Sequence, residues 1–193
     1  MAIRTVSLTQ PKLLTIEDWV RHPAADQYEL IDGVLRPRIV NQNQHEFSVM
    51  RLGYILSRYF EDTRIAASVF GSNAKYQVRS RRGIMPDLSV VLGPKVEKMD
   101  PKAAYNTAGP DLAVEVLSPD QDEEYIEERL GDYWKLGTGE AWMVDPNSET
   151  VTGYRRGEHL FVAFAVARGQ DEFSSQLLEG LSFLIESLWM RRR

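Results

Sequence analysis

A mixed α+β domain of the α/β class, with a twisted central sheet flanked by helices, is the fold this sequence predicts. Two observations lead there. Short apolar runs bounded by Gly, Pro and Asp outnumber helical patterns. The helix expected over 122–137 separates two of the most apolar runs by the length of a crossover connection, which makes those strands parallel neighbours.

In chain order, Thr15 can cap a short helix over "IEDW", with Asp18 at the capping-box position. "YELIDGVLRPRIV" (28–40) is expected to be a hairpin turning at Asp32-Gly33. "QHEFSVMRLGYILSRYFED" (44–62) has helical periodicity, with Phe47, Met50, Tyr54, Ile55 and Tyr59 predicted as its buried side. "IAASVF", "AKYQVRS", "MPDLSVVLG" and "PDLAVEVLS" follow as strands, the last two the most apolar. "DEEYIEERLGDYWKLG" (122–137) is the second long helix, with Ile126, Leu130 and Tyr133 as its stripe and Gly137 as its stop. "EAWMVDP", "TVTGYRRG" and "HLFVAFAVA" are late strands, and "LSFLIESLW" is apolar enough to dock as a short helix or strap.

The 193 residues suffice for one domain, expected over 1–193 with its core at about 13–188. No cysteine is present, which excludes disulfides, thiolate metal sites and cysteine nucleophiles. No apolar run approaches the roughly 18 residues needed to span a bilayer, and "MAIRTVSLTQPKLL" lacks a continuous apolar signal core. A cytoplasmic protein with no membrane partner is therefore expected. The net charge of −5 argues against a broad phosphate-binding surface. Basic residues are bunched, however, in "RSRRG" (79–83) and "MRRR" (190–193), and acids crowd into 118–132.

"GPDLAVEVLSPD" (109–120) poses the chemical question. As a strand it is apolar on both faces apart from Glu115. An ionised carboxylate in such surroundings costs several kcal/mol unless a cation compensates. Glu115 must then have a partner, stay protonated, or reach an opening. "PDL" occurs at 86–88 and again at 110–112, each time opening an apolar strand. If the two strands pair, Asp87 and Glu115 project from one face a few ångströms apart, where close anions raise a pKa or recruit a cation. An oxygen-only pair favours Mg²⁺ or Mn²⁺. Asp111 is a poorer partner, roughly 13 Å along the strand from Glu115. A turn role for Asp87 and an ordinary cross-sheet arginine pair for Glu115 account for the residues equally well.

"YELIDGVL", His45, "MPDLSVVL", "GPDLAVEVLSPD" and "GEAWMVDP" occur in an order and spacing that resemble the Uma2 family, of the PD-(D/E)xK restriction-endonuclease-like superfamily. The similarity covers about 13 to 188. It implies a mixed sheet core with the site at one end of the central strands, Asp87 and Glu115 as metal ligands, and Glu29 as a further acidic residue near them. The implied reaction is metal-dependent hydrolysis of phosphodiester bonds in nucleic acid, DNA foremost. Restriction-type nucleases often dimerise, and the apolar tail and late strands offer an edge for a homodimer.

The sequence departs from the superfamily motif at Leu117, where lysine would stand. Uma2 members commonly carry a lysine on the following helix, four residues before a tyrosine. With Tyr133 as that tyrosine, the position is Arg129. Taking Ile126 as zero, Arg129 falls at about 300°, on the flank of the stripe, whereas Lys135 falls at about 180°, facing away. Arginine can hold a phosphate bidentately but cannot act as a base. An Arg129 that only neutralises Glu115 would instead leave a catalytically silent binding or assembly module.

His45 matches a family histidine and is a candidate to line the site; a capping or surface role fits a lone histidine as well. Arg79, Arg81 and Arg82 precede the Asp87 strand and are candidates to grip a nucleic-acid backbone, or else belong to an exposed turn. A glycosidase pair formed by Asp87 and Glu115 lacks any visible cluster of sugar-stacking aromatics.

Overall fold

Thr15 opens the first element by a reciprocal cap, its hydroxyl taking the Asp18 N–H while Asp18 takes the Thr15 N–H at 3.0 Å. The computed structural model describes residues 12–39 and 42–191, so most of the 1–14 stretch and Val40 at the hairpin's end lie outside it. Helix α1 (Ile16–Val20) buries Ile16 and Trp19. The hairpin β1 (Tyr28–Ile31) and β2 (Val34–Pro37) turns at Asp32 and Gly33, both at positive φ, 51° and 87°. Aspartate and glycine tolerate that pair, which suits the twist of a two-residue hairpin.

Helix α2 (Asn43–Thr63), strands β3 (Ala67–Gly71), β4 (Tyr76–Arg79), β5 (Arg82–Ile84) and β6 (Leu88–Leu92), the short helix α3 (Gly93–Val96) and strand β7 (Leu112–Val116) follow. Helix α4 (Glu123–Leu136) is capped by Asp122, which accepts the Tyr125 N–H, and stopped by Gly137 at φ 78°. Strands β8 (Glu140–Asp145), β9 (Thr150–Arg156), β10 (Phe161–Arg168), β11 (Glu172–Ser174) and β12 (Ser182–Leu184) complete the sheets.

The main sheet runs β10-β9-β8-β7-β6-β3, and a second runs β2-β1-β5-β4. Strands β7 and β8 are parallel neighbours joined through α4, as the crossover length predicts. The two "PDL" strands also pair: β6 and β7 are antiparallel, with Leu88 opposite Val114. Helix α2 covers one face of the main sheet, packing Leu52, Leu56 and Phe60 with Leu112, Val114 and Trp142. Helix α4 belongs to the other face, where Tyr133 packs with Ala113, Leu117 and Met143. A large apolar side chain buried in this way contributes about 2 kcal/mol. The alternation of β7 therefore aims Glu115 toward α4.

Three expectations need correction. The buried side of α2 is His45, Ser48, Val49, Leu52, Leu56, Tyr59 and Phe60, while Phe47, Met50 and Tyr54 are exposed. Helix α2 is apolar on both faces, and the face that docks includes polar side chains with partners, such as Ser48 bonded to Leu188 O at 2.9 Å. Arg82, expected with Arg79 and Arg81 either to grip a backbone or to lie in an exposed turn, is instead buried in strand β5. The apolar tail, expected to dock and to offer an edge to a second copy, spends Ile185, Leu188 and Trp189 on the core and leaves Leu184 and Met190 exposed. Glu140 fixes the approach to that tail: its buried carboxylate accepts the N–H groups of Gln176 and Leu177 at 2.9 and 2.7 Å. Among the described residues no helix is long and apolar enough to cross a membrane.

Candidate active site

Extending the β6–β7 register by one residue sets Asp87 across from Glu115. Both carboxylates line a cavity of about 160 Å³, together with Glu29 from β1, His45 from the first turn of α2, Arg38 after β2 and Arg129 from α4. Six segments meet here because the four- and six-stranded sheets and both long helices converge at this end of the central strands.

Asp87 is held by the strand it faces. Its Oδ2 accepts the Val116 N–H at 2.9 Å and lies 3.2 Å from His45 Nε2. Its Oδ1 has a looser contact, 3.6 Å from Arg38. Burial disfavours the charged His45 ring, but the bond to Asp87 and the nearby carboxylates outweigh it and raise the His45 pKa. His45 Nδ1 is buried without a hydrogen bond, 3.5 Å from Glu46.

Glu115 is 3% exposed and sits among hydroxyls and a guanidinium. Tyr133 donates to its Oε1, Tyr125 approaches Oε2 at 3.4 Å, and Arg129 Nε lies 3.4 Å from Oε1. Burial, joined by the charges of Asp87 and Glu29 and opposed by Arg129, pushes its pKa up to about 7. Burial, joined by the Glu115 charge, holds both tyrosine hydroxyls well above their ordinary values, so they act as neutral donors. The question posed by the strand glutamate thus has a structural answer: Glu115 has partners, opens on a cavity, and holds its proton more tightly than an exposed glutamate.

Arg129 is the hub of the cluster. Its Nε donates to Tyr125 Oη at 2.8 Å, another nitrogen bonds Glu29, and its guanidinium stacks 4.9 Å from the Tyr125 ring centroid. Burial lowers its pKa, but Glu29 and the other anionic partners more than reverse that, so it stays charged. Glu29 is anchored in turn by accepting the Met85 N–H at 2.7 Å.

The family model of Uma2, described as "Putative restriction endonuclease", matches residues 13–186. The chain belongs to the Uma2 family. Its fold is shared with a crystal structure described as "a putative nuclease belonging to DUF820 from Anabaena variabilis ATCC 29413", at 21% identity and a TM-score of 0.73, over 91% of this chain and 97% of that one. No curated protein matches.

Of the residues that the Uma2 resemblance and the sequence singled out, the structure brings Asp87, Glu115, Glu29, His45 and Arg129 to one cavity. The arginines of 79–82 are elsewhere. Arg82 is buried in β5, bonded through Nε to both oxygens of Asp132 at 2.8 Å and through another nitrogen to Glu128 at 2.7 Å. Its side chain is only 5% exposed, and Nε and one terminal nitrogen are committed inside the fold. Arg79 is exposed and pairs with Asp32 at 3.4 Å, and Arg81 is exposed at the β4–β5 turn. Lys135 contacts Asp132 at 3.5 Å and does not line the cavity.

Sequence reasoning missed Tyr125, Arg36 and Arg38. Tyr125 had a readable signal, since Tyr125, Arg129 and Tyr133 recur every fourth residue on one helix face. Arg36 and Arg38 alternate on one side of the hairpin, and only the fold turns that side toward the cavity.

Proposed function

We propose that this Uma2 protein is a metal-dependent endonuclease hydrolysing phosphodiester bonds of nucleic acid, DNA foremost, with Asp87 and Glu115 as ligands of Mg²⁺ or Mn²⁺. The observation that supports it is the cross-strand placement of those two carboxylates on one cavity. The donor set fits a hard dication. Each carboxylate keeps one lightly engaged oxygen, Oδ1 of Asp87 and Oε2 of Glu115. Among the described residues no group of three His, Asp or Glu could hold an ion. Mg²⁺ needs fewer, since it usually binds one or two carboxylates and fills its shell with waters and substrate phosphates.

Such a cation supplies Lewis-acid stabilisation of phosphoryl charge and activation of water. The protein's own residues orient and balance the site. Tyr133 and Tyr125 aim the Glu115 carboxyl by donating to its two oxygens, and Val116 N–H and His45 do the same for Asp87. Arg129, held by Glu29 and Tyr125, offsets negative charge and stabilises charge that develops on the phosphoryl group; it is no base. A cytoplasmic setting and self-association along the β10 edge, where Val162 and Val166 are exposed, belong to the same proposal.

The test is cleavage of plasmid, single-stranded DNA and RNA in Mg²⁺ or Mn²⁺. Activity should vanish in chelator and in Asp87→Ala and Glu115→Ala; cleavage persisting in chelator or in both variants contradicts the proposal.

One observation favours a second reading. The Arg129 guanidinium already places an internal cation between Glu29 and Glu115, which suits a non-catalytic binding or assembly module. Calorimetry with Mn²⁺ separates the two, because the silent module binds no ion. Cleavage gained by Arg129→Lys would identify the substitution as the obstacle.

A further inference from the structure

We infer that Arg38 is a phosphate-binding residue of this cavity, taking a phosphodiester of the nucleic-acid backbone. The inference rests on the nuclease reading of the same cavity and adds a residue that neither the motifs nor the 79–82 cluster pointed to.

Arg38 follows β2 and is fixed at its backbone, where its N–H donates to Gln27 O at 2.9 Å. Its side chain is only 20% exposed. No Arg38 nitrogen is among the buried polar atoms left without a partner, so its donors open on the cavity that it lines. Its neighbours are each engaged: Arg36 pairs with Glu128 at 2.7 Å, Arg82 with Asp132 and Glu128, and Arg129 with Glu29 and Tyr125. Among the described residues the Arg38 side chain has one partner, Asp87 Oδ1, at 3.6 Å, too long for a hydrogen bond. The opposite oxygen of Asp87 is committed to Val116 and His45, so the carboxylate is not free to turn and close the gap.

Arg38 is thus a cation on the cavity wall whose side chain, among the described residues, makes no hydrogen bond to the protein. The planar fork of an arginine matches two phosphate oxygens at once. Asp87 holds it loosely and competes with the phosphate for it. Removing the Asp87 charge relieves its repulsion of the phosphate and also releases Arg38 to bind more strongly; the part of the gain that depends on Arg38 is a coupling that a merely structural arginine would not show.

The experiment is fluorescence anisotropy of labelled DNA oligonucleotides, single-stranded and duplex, titrated with the full chain in chelator over a range of salt. Arg38→Gln should weaken binding about tenfold and lower the slope of log K against log salt by about 1. Arg58→Gln removes the same charge from an exposed part of α2 and should leave the slope unchanged. Asp87→Asn removes a like charge from the cavity and should tighten binding in both backgrounds, more in the wild-type background than in Arg38→Gln. If Arg38→Gln does not fold, Arg38→Met, which keeps the packing stem, is read the same way. Wild-type affinity and slope in a folded Arg38 variant, with cleavage by the wild type intact, overturn the role of Arg38 and leave the nuclease reading standing. A wild type that neither binds nor cleaves nucleic acid overturns both.

Discussion

Asp87 accepts the backbone N–H of Val116 at 2.9 Å, so the first carboxylate is fastened to the strand that carries the second. The separation of Asp87 and Glu115 is therefore set by a β-ladder and not by two independent side chains. Preorganisation of this kind lets two anions remain close without closing on each other or swinging into solvent.

The tyrosines of α4 should matter through Glu115. Tyr133→Phe removes the donor to Oε1, and Tyr125→Phe removes both the donor to Glu115 Oε2 and the acceptor of the Arg129 Nε–H. Each is expected to lower ion affinity or cleavage by about ten- to a hundred-fold, with little change in DNA affinity in chelator. Unaltered Mn²⁺ binding by calorimetry in both variants would rule out this orienting role.

Arg129 also supports the fold. Arg129→Met leaves Glu29 buried, with one carboxyl oxygen stripped of its partner. A loss of about 3 kcal/mol is expected in urea unfolding, and Arg129→Lys should recover most of it. Equal stability of Arg129→Met and wild type would show that Glu29 relaxes or protonates at little cost.

Arg82 and Asp132 form a second buried ion pair, with side chains 5% and 1% exposed, that ties β5 to α4. Arg82→Met alone should destabilise by about 3 to 5 kcal/mol, whereas Arg82→Met combined with Asp132→Leu should recover much of the loss because no charge is stranded. Denaturation of the three proteins measures this, and a double variant as unstable as the single one would contradict it.

Stability in chelator should depend on pH through Glu115. Burial and the charges of Asp87 and Glu29 raise its folded pKa from 4.5 to about 7 against the pull of Arg129. Between those values the folded state holds the proton more tightly than the unfolded state, so stability falls as pH rises through that window. Glu115→Gln, which cannot ionise, should flatten this part of the profile. An identical slope in both proteins would assign the dependence to other groups.

Much of the fold was legible because its signals are local. The Thr15 cap, the Asp32-Gly33 turn, the Gly137 stop and the crossover helix are each written within a few residues. The Asp87–Glu115 approach was legible because two apolar strands carry the same "PDL" opening, and antiparallel pairing turns that echo into a shared site. What escaped was non-local. Arg82 looks like part of a basic turn until β5 packs it against Asp132, fifty residues later. The buried face of α2 was misassigned because Phe47, Met50 and Tyr54 outweigh His45 and Ser48 in hydropathy, whereas polar partners such as Leu188 O lie far along the chain. Arg38 carries no sequence signal that separates it from Arg36; only its loose contact with Asp87 does.

The most direct measurement is the anomalous signal of a crystal soaked in Mn²⁺. The account predicts one peak in the cavity, within about 2.2 Å of a carboxylate oxygen of both Asp87 and Glu115, and no such peak in Asp87→Ala. A saturating soak that leaves this position without a peak, or puts the ion on acids outside the cavity, would contradict it.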